Sequence, residues 1–389
     1  MKNSGMDTLR KRILIVSKST GGLATYMRWL AAGLDSSRFD LTFICLSEGG
    51  QELADELSKL PGVHAVHWKM ERFKINLFTD AQVIVRLARY IREHHFDLIH
   101  AHAAKAGFIT RMAAINSGVP VIYSPHGFSF AKNRHSVLNW LYASIERFAA
   151  RFLTTRVITV SNYEKVLAEK YRIGHPDLCV AVHSGIDLKE LDVQADGALR
   201  KALNIPREVP LIGTVGRLNP QKAPLDFVRL AGLLRESMPD AHFVWIGDGD
   251  MLEAAVGLGR QIGLNGSMHF PGARTDVHAV LQELNCFVLT SHWEAFPLAL
   301  LEAMAVGLPV VATRLPGVEE SVEENVSGYL HPVGDLGAMR DSVQRIVSDR
   351  ALAKNLGTNG RRRVEESFTR QRMISEIEQV YWQALSGNG

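Results

Sequence analysis

The sequence predicts an α/β protein of two doubly wound, Rossmann-like domains in tandem, and three observations predict it. Short apolar, β-branched runs alternate with amphipathic segments along almost the whole chain. That alternation breaks once, over Ile186 to Arg207, where Asp, Lys, Glu and Gln dominate, and then resumes. A length of 389 residues suits two domains better than one. Strands with intervening helices build parallel sheets, and such sheets take ligands outside the strands' carboxyl ends.

The first series of strands reads Arg12 to Ser17, Asp40 to Leu46, Val63 to Trp68, Leu98 to Ala101, Val119 to Ser124, Val157 to Val160 and Leu178 to His183. Tyr26 to Leu34, Ala81 to His94 and Ala106 to Asn116 are amphipathic helices between them. The second series reads Leu211 to Val215, His242 to Ile246, Met268 to Phe270, Cys286 to Thr290 and Leu308 to Thr313. A last helix, about Thr369 to Leu385, follows it. There is no internal repeat and no low-complexity segment.

Composition narrows the class. Hydrophobic residues make up 46% and charged residues 22%, enough apolar content for a sizeable core without a membrane protein's excess. The polar start, Met1 to Lys11, lacks a signal-peptide apolar core, and no run is long enough to span a bilayer. Cys45, Cys179 and Cys286 lie far apart in apolar runs, without metal-ligand spacing. Reduced core thiols in a cytoplasmic protein are the expectation.

The densest signal is the stretch from Ser291 to Thr313. Pro297 suits a helix's first turn, Gly307 suits its stop, and Leu308 to Thr313 reads as a buried strand. Glu294 then sits in the loop before the helix and Glu302 about one turn inside it. Both carboxylates can face a ligand whose phosphates rest at the helix N-terminus, where unpaired N–H groups and the dipole favour anions. A nucleotide-sugar needs this combination, because ionised carboxylates are pure acceptors for sugar and ribose hydroxyls. Upstream, Val215-Gly216-Arg217-Leu218-Asn219-Pro220-Gln221-Lys222 places two cations in a loop after a buried strand. Arginine offers a fixed fork to phosphate oxygens, and lysine a movable point charge.

Here the chain resembles the retaining glycosyltransferases of the GT-B fold, family 4. The Glu-x7-Glu pattern with Ala-Met-Ala-x-Gly-x-Pro-Val-Val-Ala-Thr carries the resemblance. So do the segment from Val215 to Lys222, Gly21-Gly22 after the first strand, His126-Gly127, Gly328-Tyr329-Leu330 and Asp335. The match runs from about residue 12 to residue 385. It implies two Rossmann-like domains facing a cleft: 1–190 for the acceptor, 191–368 for the nucleotide-sugar donor, and 369–389 as a helix crossing back to the first.

By the same resemblance Arg217 and Lys222 hold the donor diphosphate, with Gly21 and Gly22 close to phosphate. Glu302 holds the ribose, and Phe296, Pro297 and Leu298 line the donor. Glu294 orients the sugar, and His126 lies near it; these two are the catalytic candidates. Lys105 and Arg111 are acceptor-side candidates. No obligatory metal or other cofactor is expected. Asp248-Gly249-Asp250 carries the Asp-x-Asp string of the other glycosyltransferase fold, but a Gly-rich turn after a strand is the expected reading, since Arg217 and Lys222 already supply positive charge. The chain departs from the family at Pro316-Gly317-Val318-Glu319-Glu320, in place of Gly-Gly-x-Pro-Glu, and at Ser184-Gly185-Ile186-Asp187, in place of Asn-Gly-Ile-Asp.

A narrower resemblance lies in Ile99 to Arg111 and Ser124 to Phe130. These are similar to members that build bacterial polysaccharide on polyprenyl-diphosphate carriers. It implies a lipid-linked saccharide acceptor; the donor is expected to be a nucleotide-sugar, UDP-linked rather than GDP-linked, although the sequence itself names neither the base nor the sugar. Charge agrees: residues 1–190 hold 25 Lys and Arg against 17 Asp and Glu, the rest 19 against 24. Over 99–160 seven basic residues face one acid, interleaved with Phe128, Phe130, Trp140, Leu141, Tyr142, Phe148 and Phe152. Lys69 to Phe78 adds a second such mixture. This suits an anionic membrane surface or lipid acceptor, with attachment to the inner face of the cytoplasmic membrane; the alternative is solvated arginines around core aromatics. No motif supports nucleic acid as a partner. A nucleotide-sugar epimerase or a non-catalytic nucleotide-sugar binder would use the same scaffold. A dehydrogenase is disfavoured, because no Gly-x-Gly-x-x-Gly follows the first strand.

Overall fold

The computed structural model describes residues 10–18, 21–46, 49–70, 76–131, 136–191 and 197–387. Residues 71–75 of the Lys69 to Phe78 mixture, Lys132 and Arg134 of the basic stretch, and the first nine residues lie outside the described residues. The chain divides into two compact units, one of residues up to His183 with Gln371–Gly389, the other Ser184–Arg370.

The first unit runs β1 (Lys11–Lys18), α1 (Gly22–Gly33), β2 (Phe39–Leu46), α2 (Gly50–Leu57), β3 (Val63–Trp68), α3 (Leu77–His94), β4 (Leu98–His102), α4 (Ala104–Ala113), β5 (Val121–Ser124), α5 (Ser136–Leu153), β6 (Arg156–Thr159), α6 (Asn162–Lys170) and β7 (Cys179–Ala181). The strands form one parallel sheet in the order β3-β2-β1-β4-β5-β6-β7. Ile13 to Val16 are wholly buried, as a central parallel strand covered on both faces requires.

The second unit runs α7 (Ala198–Ala202), β8 (Leu211–Val215), α8 (Pro224–Ser237), β9 (His242–Ile246), α9 (Leu252–Gln261), β10 (Met268–Gly272), α10 (Val277–Gln282), β11 (Cys286–Leu289), α11 (Leu298–Ala305), β12 (Val310–Thr313), α12 (Pro316–Glu319), β13 (Gly328–His331), α13 (Leu336–Ser348) and α14 (Arg350–Ser367). Its six parallel strands follow the order β10-β9-β8-β11-β12-β13. Phe227 packs edge-on against Trp245 in its core, both essentially without exposure.

Both sheets therefore reverse direction beside their first strand, at β1/β4 and at β8/β11. The crevice outside the strands' carboxyl ends at such a reversal is where doubly wound sheets take ligands. That makes the fold two Rossmann-like domains. The final helix, α15 (Arg370–Leu385), belongs to the first unit from Gln371 onward. There Tyr381 packs on Phe39, and Glu378 pairs with Arg38 at 3.1 Å.

Several strands begin or end a residue or two from their expected limits. The strand expected from Leu308 starts at Val310, because Pro309 lacks an N–H and closes the preceding turn. Gly185, in the Ser184-Gly185-Ile186-Asp187 string, has a physical reason: a Cβ there would lie 2.2 Å from the Thr369 carbonyl oxygen. Ile186 bridges to Thr369, and Asp187 pairs with Arg370 at 2.5 Å. Cys45, Cys179 and Cys286 are all buried free thiols.

Candidate functional site

In the second unit the expected donor residues gather at the β8/β11 reversal. Beyond β8 the chain turns through Gly216 and Arg217, then through a tight turn in which Lys222 N–H donates to both the Asn219 carbonyl and its Oδ1, each at 3.1 Å. Beyond β11, Thr313 Oγ1 donates to the Ser291 carbonyl at 2.7 Å, and His292 N–H donates to the Gln221 carbonyl at 2.8 Å. The two strand-end loops are thus stitched to each other before any ligand arrives.

Glu294 is the focus of that arrangement. Its Oε1 accepts from Lys222 Nζ at 2.6 Å and from Ser291 Oγ at 2.6 Å, while Oε2 has only a long contact, 3.4 Å, from Gln221 Nε2. The Lys222 and Glu294 side chains are 19% and 5% exposed, so the pair is largely removed from water. Arg217 is half-buried at the end of the same strand, and among the described residues it makes no ion pair. A carboxylate held by one lysine and an arginine without an ion pair thus occupy the loops that follow β11 and β8.

Helix α11 adds an anion-favouring end. No side chain caps it, and Pro297 precedes its first residue, Leu298. Its first N–H groups lack an intrahelical partner, the condition under which a helix N-terminus takes a phosphate. Phe296 packs on Phe368 at a centroid distance of 5.4 Å. Glu302 lies on the second turn, 3.9 Å from His278 Nε2, an ion-pair rather than a hydrogen-bond distance. The carboxylate of Glu302 raises the His278 pKa, against the pull of burial. His278 Nδ1 meanwhile meets the Glu190 carbonyl at 3.0 Å.

The Asp248-Gly249-Asp250 segment braces the Arg217 loop through its backbone. Leu218 N–H donates to the Asp248 carbonyl at 3.0 Å, and Asp248 Oδ1 accepts from Gly249 N–H at 2.7 Å. Gly247, at φ 140°, passes so close that a Cβ would lie 2.1 Å from the Gly216 carbonyl oxygen. Among the described residues no three His, Cys, Asp or Glu side chains converge as metal ligands.

In the first unit the corresponding reversal holds histidines. Gly21 and Gly22 follow β1 and open α1, both exposed. His100 and His102 end β4 fully buried, and His126 follows β5 at a φ of 49°. His102 Nδ1 meets His126 Nε2 at 2.9 Å, and Tyr26 stands edge-on to the His126 ring at 4.8 Å. His100 bridges Tyr381 Oη at 2.7 Å and Ser124 Oγ at 2.8 Å. The strained turn after His126 is held by buried Glu164, whose Oε1 accepts from Gly127 N–H at 2.7 Å and Phe128 N–H at 3.1 Å. Burial, helped by the Lys18 cation, lowers the His126 pKa to about 3, and burial holds His100 and His102 well below the usual imidazole range. All three rings are neutral at pH 7 and act as hydrogen-bonding groups.

The two acceptor-side candidates divide. Arg111 is corrected: it does not offer a cation to a ligand. Its side chain has no exposure, its guanidinium pairs with Glu146 at 2.9 Å, and it stacks 3.9 Å over the Tyr123 ring. The single acid of the 99–160 stretch is spent on it. Lys105 stays near the surface of α4, paired with Asp80 at 2.8 Å.

Sequence reasoning missed four supporting side chains. Ser291 stands three positions before Glu294, a Ser-x-x-Glu spacing that could have flagged it. His278, Glu164 and Tyr381 reach their partners across long stretches of chain and leave no local signal.

Comparison with known proteins places both halves of the chain in known families. Residues 196–363 match the family model for Glycosyl transferases group 1, and residues 20–190 match that for Glycosyltransferase Family 4. The chain is similar to the UDP-Gal:alpha-D-GlcNAc-diphosphoundecaprenol alpha-1,3-galactosyltransferase of Escherichia coli, 29% identical over 354 residues and 90% of either chain. It is also similar to the N,N'-diacetylbacillosaminyl-diphospho-undecaprenol alpha-1,3-N-acetylgalactosaminyltransferase of Campylobacter jejuni, 24% identical over 88% of this chain and 92% of that one. In fold it is similar to Anabaena HepE, solved in complex with UDP and glucose, with a TM-score of 0.83 at 19% identity over 96% of this chain and 100% of that one.

Proposed function

The chain belongs to the glycosyltransferases of group 1 and family 4, and from that membership we propose that it moves a hexose, with retention, from a UDP-sugar to a saccharide carried on a polyprenyl diphosphate. The observation that carries the reading is the pairing of Lys222 with Glu294 at 2.6 Å at the β8/β11 reversal, with Arg217 in the same loop after β8 and without an ion pair among the described residues. The relatives in E. coli and C. jejuni act on diphosphoundecaprenol-linked sugars by name, which supports the acceptor class.

Each group has a chemical task in this reading. An ammonium has three donors, and Glu294 occupies one, so Lys222 keeps two for a diphosphate. Arg217 adds a fork, and the uncapped start of α11, with Phe296, Pro297 and Leu298 around it, adds N–H groups. These preorganised charges stabilise the departing UDP without reorganising during the reaction. Glu294, with Oε1 doubly engaged, presents Oε2 to sugar hydroxyls, and Glu302 accepts from the ribose. Neutral His126 and the Gly21-Gly22 turn contribute hydrogen bonds to the sugar and phosphate, and Lys105 serves the acceptor. The bond from the anomeric carbon to the phosphate oxygen breaks while the acceptor oxygen bonds on the same face. The acceptor proton passes to the departing phosphate. No divalent cation is obligatory, because the side chains supply the charge.

Among the described residues no helix is long and apolar enough to cross a membrane. We place the enzyme at the inner face of the cytoplasmic membrane, held peripherally by anionic lipid. The test is a matrix of UDP- and GDP-sugars against a polyprenyl-diphosphate saccharide, reading nucleotide release. One UDP-sugar is expected to release UDP only with acceptor present. Release that does not depend on acceptor, or no release from any of the donors, contradicts the proposal.

A further inference from the structure

Helix α5 leaves a ridge of apolar side chains uncovered. Val137, Leu138, Leu141, Ile145, Phe148 and Phe152 are each 37–77% exposed. At 3.6 residues per turn these six fall within an arc of about 100°, along roughly 23 Å of helix. A helix that faced only water would carry charge there. One border of the ridge is different in kind: Trp140, 64% exposed, shares it with Arg147 and Arg151, roughly 40–80° beyond the edge.

Past that border lies a cavity of about 430 Å³ between α5 and the end of α6. Trp140, Arg147, Lys170, Tyr171 and Arg172 line it, so three cations and two aromatic rings meet there with no carboxylate. Over 136–172 the chain has six basic residues and three acids. Two of those acids, Glu146 and Glu164, are buried and engaged with Arg111 and with the Gly127 and Phe128 N–H groups. Only Glu169 is exposed.

We propose that α5 is the helix that seats this protein on the membrane, and that the adjoining cavity takes the phosphate headgroup of an anionic phospholipid. The inference rests on the membrane-facing part of the proposed function and names its element and its ligand. An in-plane interfacial helix buries its apolar face just below the headgroups, keeps Trp at the boundary and sets Arg along the polar rim. The α5 ridge, Trp140, and Arg147 with Arg151 reproduce that order. A second copy of the chain fits less well. The spacing Leu138, Leu141, Ile145, Phe148, Phe152 would suit a helix seam, but a stable seam has opposite charges flanking it. Here the charges that flank the ridge, half-buried Arg147 and exposed Arg151, are both arginine.

The experiment uses the full chain and vesicles of phosphatidylcholine, alone or with phosphatidylglycerol. Sedimentation is expected to recover protein with the mixed vesicles and not the neutral ones, with recovery falling as salt rises. Acyl chains brominated near the headgroup are expected to quench tryptophan fluorescence, and Trp140→Phe to lose most of that quenching. Lys170→Gln with Arg172→Gln lowers affinity roughly 25-fold, about fivefold for each cation removed near the surface. Leu141→Ser with Phe148→Ser abolishes binding. Turnover of a water-soluble acceptor is unchanged in every variant, so a wild type that binds vesicles yet fails to transfer sugar indicts the reaction, not the docking. Equal recovery on neutral and anionic vesicles overturns the proposal. So does displacement by millimolar inorganic phosphate, which would make the cavity a site for a soluble anion. A dimer that Leu141→Ser with Phe148→Ser dissociates would assign the ridge to a second copy instead.

Discussion

Replacing Lys222 with alanine separates the two roles of the Lys222–Glu294 pair. The first is chemical: removing a preorganised charge-stabilising donor slows turnover by roughly 10²–10³. The second is structural. Breaking a fully buried ion pair from one side costs about 3–5 kcal/mol, because a charge is left without its partner. Lys222 is 19% exposed, and Glu294 keeps Ser291 Oγ at 2.6 Å, so the cost here is about 1–3 kcal/mol. The second change, Glu294→Gln, tells the roles apart. Lys222→Ala with Glu294→Gln is expected to regain most of the lost stability and none of the lost turnover. Stability is read from urea unfolding and turnover from UDP release at saturating donor. Near wild-type turnover in Lys222→Ala would refute the diphosphate role, and turnover that recovered together with stability would reduce Lys222 to a structural partner of Glu294.

Other expectations follow from the same geometry. Glu302→Ala weakens UDP binding in calorimetry with a modest change in turnover, because ribose contacts are alike in ground and transition states; unchanged UDP affinity contradicts the ribose role. Activity survives EDTA; complete loss restored by Mg²⁺ or Mn²⁺ would move the weight to Asp248 and Asp250. His126 has a folded pKa lowered to about 3 by burial and Lys18, so between that value and the unfolded one, about 6.5, the unfolded chain binds more protons and stability falls with acid. The urea midpoint is expected to drop from pH 7 to pH 5, and His126→Asn to flatten that drop; an unchanged slope contradicts the buried neutral ring.

How much of this was legible in the sequence depended on the distance between partners. The two tandem βα series and the polar break after Ile186 announced two doubly wound domains, because hydrophobic period is a local property. Arg217, Lys222 and Glu294 were legible for a related reason: they lie in the loops that follow β8 and β11, Glu302 lies on the helix after β11, and topology alone brings β8 and β11 side by side. Arg111 misled because a lone arginine among aromatics reads as a surface cation, while its true partner, Glu146, lies 35 residues away across a helix pair. The link from His100 to Tyr381 spans 281 positions and has no counterpart in any local pattern. At four residues, Gly-Tyr-Leu-His, β13 is too short for its period to be read, and its place is set by pairing with β12.

The proposed transfer of sugar with retention, from a UDP-sugar at the β8/β11 reversal, leaves its mark in the configuration of the product. Proton NMR of the product tests it most directly. An α-configured UDP-galactose or UDP-glucose, whichever is turned over, is incubated with a polyprenyl-diphosphate saccharide, and the anomeric coupling of the new linkage is read. The small coupling of an α-linkage, formed only with acceptor present, is the expected result. The large trans-diaxial coupling of a β-linkage would contradict it.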